Sequence, residues 1–102
     1  MDSPIAVVEI FKTDVYDRWF HTLKDKKTQA VLDMHIERMR FGNFGNSKPI
    51  GQGLSELKIN YGAGFRIYYK NEHNKIVILL CGGGKSTQKD DIVKAHKIAK
   101  GI

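Results

Sequence analysis

The second half of the chain alternates between apolar and polar positions. Leu57, Ile59 and Tyr61 are separated by Lys58 and Asn60, and Phe65, Ile67 and Tyr69 by Arg66 and Tyr68. A period of two predicts two strands, each with one buried face. Between them Tyr61-Gly62-Ala63-Gly64-Phe65 supplies glycines for a short hairpin turn. Asn71 to Asn74 predicts a second turn. Ile76 to Cys81 is then apolar without a break. Such a run predicts a central strand covered on both faces. Gly82-Gly83-Gly84 is expected to end it.

The first half has a different period. Ala6 to Lys12, after Pro4, is rich in β-branched residues and predicts a first strand. Thr13 and Asp14 are N-cap types, and Tyr16, Trp19, Phe20 and Leu23 fall at i, i+3, i+4 and i+7. After a turn at Lys24 to Lys27, a second helix runs to about Phe41. It carries Leu32, Ile36 and Met39 on one face and Asp33, Glu37, Arg38 and Arg40 opposite. So short a connection predicts an antiparallel helical hairpin. Gly42 to Gly53 is dense in glycine and asparagine, and predicts a long loop. Beyond the three glycines Ser86 or Thr87 caps a last helix, with Asp90 spaced from Thr87 as in a capping box. Ile92, Ala95, His96 and Ala99 form its inner face. The order β-α-α-β-β-β-α predicts an α+β fold in one domain over residues 1–102. It has a small, antiparallel-rich sheet, an N-terminal helical hairpin and a C-terminal helix.

Composition adds exclusions. One cysteine, Cys81, rules out an internal disulfide scaffold. No apolar run approaches the ~20 residues of a membrane-spanning helix. Asp2 and the absence of a basic-then-apolar start predict a cytoplasmic protein. The 17 Lys and Arg against 11 Asp and Glu leave a net charge of +6. That surplus favours an anionic partner, although it also serves plain solubility.

Strand parity locates part of the charge. With Tyr61 set opposite Phe65, Lys58 lies opposite Tyr68 and Asn60 opposite Arg66. Glu56, Lys58, Asn60, Arg66, Tyr68 and Lys70 then share one face of the sheet, basic and tyrosine-bearing, and expected to be solvated. Gly82-Gly83-Gly84-Lys85-Ser86 follows the central strand and opens a helix, where backbone N–H groups favour an anion such as one phosphodiester. A nucleotide-binding P-loop is excluded, because its first glycine would fall on Leu79. The histidines and Cys81 lack metal-ligand spacing.

Three segments occur in a telling order: Gly53-Leu54-Ser55-Glu56-Leu57-Lys58-Ile59, Gly64-Phe65-Arg66-Ile67-Tyr68-Tyr69, and Ile78 to Ile92 with Gly82-Gly83-Gly84-Lys85 and Gln88. With Gly42-Asn43-Phe44-Gly45 and Lys48-Pro49 before them, they resemble the RelE/ParE superfamily of type II toxins, most closely its HigB-like addiction module killer protein branch. The resemblance implies a RelE-like fold and a ribosome-dependent mRNA endoribonuclease that inhibits translation without a metal or other cofactor. It implies a cognate antitoxin partner, often a helix-turn-helix protein that binds operator DNA together with the toxin. Matched residue by residue, Arg66 and Lys85 clamp the scissile phosphate and Lys58 is a second clamp or a proton carrier. Tyr68 and Gln88 are auxiliary, as are Asn60, Lys70 and Ser86 from the same face and turn. Other members place a tyrosine or histidine near the C-terminus as acid or base; here no tyrosine follows Tyr69, and His96 is expected to face inward. Two other activities stay open: a ParE-like, non-catalytic DNA gyrase poison, and a non-enzymatic RNA-binding module.

Overall fold

A computed structural model describes residues 7–102. Pro4 and Ala6, at the start of the predicted first strand, therefore lie outside the described residues. The elements are β1 (Glu9–Lys12), α1 (Asp14–Thr22), α2 (Lys26–Arg40), β2 (Ser47–Gly51), β3 (Leu54–Ile59), β4 (Phe65–Glu72), β5 (Ile76–Gly84), a 3-10 turn (Lys85–Thr87) and α3 (Gln88–Lys100). The described strands form one sheet in the order β1-β5-β4-β3-β2, with β1 parallel to β5 and every other pair antiparallel. The α+β class stands, with one strand more than the sequence pattern predicts. Among the described residues no helix is long and apolar enough to cross a membrane.

That extra strand, β2, lies inside the predicted loop. Gly51, Gln52 and Gly53 all adopt positive φ and turn the chain back so that β2 pairs with β3. Turn-forming residues dominate the composition here and mask the short strand. Pro49 is tolerated because β2 is an edge strand.

The sheet separates two cores. Tyr16, Leu32, Ile36 and Met39 from the first two helices pack on Leu57, Ile59, Ile67, Tyr69, Val77 and Leu79. On the other side Ala95 of α3 packs with Leu54, Tyr68, Leu80 and Cys81. An irregularity at Tyr68/Tyr69 pairs Tyr68 with Cys81 but Tyr69 with Leu79. Leu80 is thereby left over, and both Leu80 and Cys81 join the α3 core. This is how one apolar run feeds two cores.

Two further expectations need correction. The glycines do not end β5; the strand continues through Gly84, pairing Gly82 with Ile67 and Gly83 with Arg66. Their role is clearance. A Cβ on Gly82 would collide with the Trp19 ring, and one on Gly83 with the Asp91 carboxylate. The β3–β4 hairpin closes at Ile59↔Phe65, so residues 60–64 form the turn and Lys58 pairs with Arg66. The register is displaced by two from the predicted one. An even displacement keeps every side chain on its face, but Asn60 and Tyr61 leave the strand.

Candidate functional site

Lys58 on β3 and Arg66 on β4 are direct cross-strand partners on the α3 side of the sheet. The end of β5 pairs with the start of β4, Gly84 opposite Phe65, and delivers Lys85 beside them. The result is a cleft of about 360 Å³ lined by Lys58, Asn60, Arg66 and Lys85, with the turn from Tyr61 to Phe65 as its wall. The three cations come together although Lys85 is far along the chain from the other two. Lys58 and Lys85 are exposed, and neither forms an ion pair among the described residues.

Arg66 is only 7% exposed. Burying a guanidinium is costly unless a counter-charge accompanies it. Glu56 supplies that charge: its Oε1 lies 3.6 Å from Arg66 Nε, and its Oε2 lies 3.6 Å from Lys48 Nζ. Gln88 Nε2, on the first turn of α3, donates to Glu56 Oε1 at 2.8 Å. Glu56 itself is 1% exposed. It therefore joins α3 to β4 through the two side chains it holds and limits where Arg66 can point.

The remaining sequence candidates fall elsewhere. Tyr68 is fully buried beneath α3, and its hydroxyl lacks a hydrogen-bond partner among the described residues. The face expected to be solvated is thus largely roofed over. Burial, then the charges of Glu56 and Asp91, raises the Tyr68 pKa well above the ordinary tyrosine value. Lys70 pairs with Glu72 at 3.3 Å and lines a separate cleft with His96 and Lys100. Ser86 is exposed within the 3-10 turn. His96 Nε2 donates to the Ile50 carbonyl at 3.0 Å, which fastens α3 to β2.

The start of α3 differs from the predicted capping box. Thr87 makes no side-chain cap bond; its hydroxyl donates to Asp91 Oδ2 at 2.6 Å. The intervening 3-10 turn moves the acidic partner from Asp90 to Asp91. The Asp91 carboxylate then lies over Gly83. Burial, then Asp91, pushes the Cys81 thiol up to about 12, which leaves it an inert core group.

Sequence reasoning missed two residues at this site. Glu56 was visible on the same face as Lys58, but its burial depends on the α3 roof. Tyr61 packs partly against the core, as its alternation predicts, but with the strand ending at Ile59 it sits in the turn and lines the cleft as well.

No family model matches the chain. A protein of Haemophilus influenzae, described only as uncharacterized, is 43% identical over 93 residues, spanning 91% of this chain and 94% of that one. The structure is similar to that of a mutant Escherichia coli RelE toxin in the free state, with a TM-score of 0.70 and 11% identity over 89% of this chain and 96% of that one. It is also similar to a chain of the toxin-antitoxin complex RelBE2 from Mycobacterium tuberculosis, with a TM-score of 0.64 and 14% identity over 83% of this chain and 99% of that one. At such identities the likeness is one of fold, and the fold is that of the RelE toxins.

Proposed function

The chain belongs to one family with the Haemophilus influenzae protein, and we propose that it is the toxin of a type II toxin-antitoxin pair, an endoribonuclease that cuts mRNA on the ribosome. The observation that carries this reading is the meeting of Lys58, Arg66 and Lys85 in one cleft. Phosphodiester cleavage by a neighbouring hydroxyl needs such a cluster. A base takes the proton of the RNA 2′-OH, and the 2′ oxygen forms a bond to phosphorus. The P–O5′ bond breaks, the 5′ oxygen takes up a proton, and the products are a 2′,3′-cyclic phosphate and a 5′-hydroxyl. Negative charge grows on the non-bridging oxygens along this path, and cations fixed beforehand stabilise it.

Arg66 is the clamp whose orientation the protein controls, through Glu56. Lys85, carried just past the end of β5 beside the start of β4, is a flexible point charge. Lys58 is a second clamp or a proton carrier. Tyr61 lines the cleft, and its phenol is the candidate donor to the leaving oxygen. The fold shared with an antitoxin-bound toxin supports a cognate antitoxin, which we expect to be a helix-turn-helix protein that takes the pair to operator DNA. The toxin acts in the cytoplasm.

The test is a translation extract with mapped mRNA ends. Wild-type protein is expected to produce new 5′-hydroxyl ends, and Arg66→Ala to lower their rate by at least ~10²-fold. Intact mRNA with co-purifying gyrase would replace the nuclease by a gyrase poison. RNA binding without cleavage would reduce it to a binding module.

A further inference from the structure

A second cleft, of about 300 Å³, adjoins the first and shares Lys58 and Asn60 with it. It lies where β2 stops. Ser47 pairs with Leu57, and beyond that point Lys58 N–H donates to the Asn46 carbonyl at 2.9 Å. The two clefts meet at Lys58 and Asn60, near the end of β3, the first reaching Lys85 and the second reaching His35 and Arg38 of α2.

The walls of the second cleft have a definite chemistry. Phe44, partly buried against the core, is stacked on Tyr69, with centroids 6.0 Å apart and planes at 17°, and lines the cleft. The ring is held in place from below: Ser47 Oγ donates to the Phe44 carbonyl at 2.5 Å and receives the Tyr69 hydroxyl at 2.8 Å. Asn43 Oδ1 accepts from Gly45 N–H at 3.0 Å, which leaves its NH2 group for a ligand. His35 Nδ1 donates to the Val31 carbonyl at 2.9 Å, which leaves Nε2 as the ring nitrogen available to a ligand. Arg38 adds an exposed cation.

An aromatic shelf, an amide donor, an imidazole nitrogen and a cation are what an unpaired base and its phosphate require. We infer that the second cleft is a subsite for one unpaired nucleotide next to the scissile phosphate, its base against Phe44 and Asn43 and its phosphate near Arg38. This rests on the nuclease reading, since it takes the shared Lys58 and Asn60 as the junction between the cut bond and its neighbour. A base stays inside a duplex unless it is pulled out of the stack, so the subsite makes the enzyme selective for single-stranded RNA.

The test is single-turnover cleavage of ribosome-bound mRNA in which the nucleotides flanking the cut are made abasic one at a time. Wild-type protein is expected to slow about fivefold or more at one flanking position and not at the other. Arg38→Ala and Phe44→Leu, each tested separately, are expected to slow the unmodified mRNA, and the abasic change at that position to add little in Phe44→Leu. Among the described residues the Arg38 side chain bonds only Met34 Sδ, at 3.8 Å, and its carbonyl, which accepts from Phe41 and Asn43, is kept in alanine, so its replacement is safe for the fold. Losses that multiply in Phe44→Leu, or wild-type rates in both variants, overturn the subsite while leaving the nuclease in place. A wild-type protein that leaves all mRNA intact overturns both.

Discussion

Glu56 shows how one buried side chain can organise a site without lining it. Its carboxylate faces Arg66, Lys48 and Gln88 at once, from three different elements. Glu56→Ala removes the counter-charge of a buried guanidinium and is expected to cost about 3–5 kcal/mol, read from urea denaturation. Tyr61 should behave differently. Tyr61→Phe is expected to slow cleavage by roughly 10²-fold while RNA affinity is kept, because only a proton is lost. An unchanged rate would remove Tyr61 from the chemistry. Lys58 and Arg66 were legible in the sequence because each is a cation flanked on both sides by apolar residues of its strand, an alternation that declares its face. Glu56 obeyed the same alternation, yet its meaning depended on a helix folding over it from far along the chain.

Among the elements, β5 carries the greatest constraint. Helices bear on its two faces at consecutive residues, Trp19 over Gly82 and Asp91 over Gly83. Gly83→Ala and Gly82→Ala are each expected to cost about 1–3 kcal/mol through overpacking, measured by thermal unfolding. Gly84→Ala is the control: its Cβ would meet nothing nearer than the Gly64 carbonyl at 3.9 Å, and a change within about 0.5 kcal/mol is expected. Three adjacent glycines look alike in sequence, and only packing separates two steric necessities from one unconstrained strand residue. For the same reason the helices and the central run were legible from periodicity, while β2 was not. Five residues containing a proline carry too little pattern to stand out from a glycine-rich loop. The hairpin register also escaped, since apolar alternation continued to Tyr61 after the pairing had ceased.

For the whole molecule, the surplus of +6 divides into scattered surface charge and three cations gathered at one cleft. The interior has a titration signature of its own. Cys81 is raised from 9.0 to about 12 by burial, then Asp91, and the buried Tyr16 and Tyr68 are raised as well. Each of these groups keeps its proton longer when folded than when unfolded. The stability they contribute is complete below pH ~9 and is lost as the pH climbs towards 12. The urea midpoint is therefore expected to fall steadily across that interval, and Cys81→Ala to flatten its early part. A midpoint constant from pH 9 to 11 would contradict this. One consequence concerns timing during synthesis. Lys58 and Arg66 belong to a single hairpin, but Lys85 is held by β5, which lies between that hairpin and β1 in the sheet. A growing chain that has released only the hairpin holds two of the three cations and the turn that walls them, but not Lys85. On the nuclease reading proposed above, the phosphate clamp is therefore assembled only once β5 has joined the sheet.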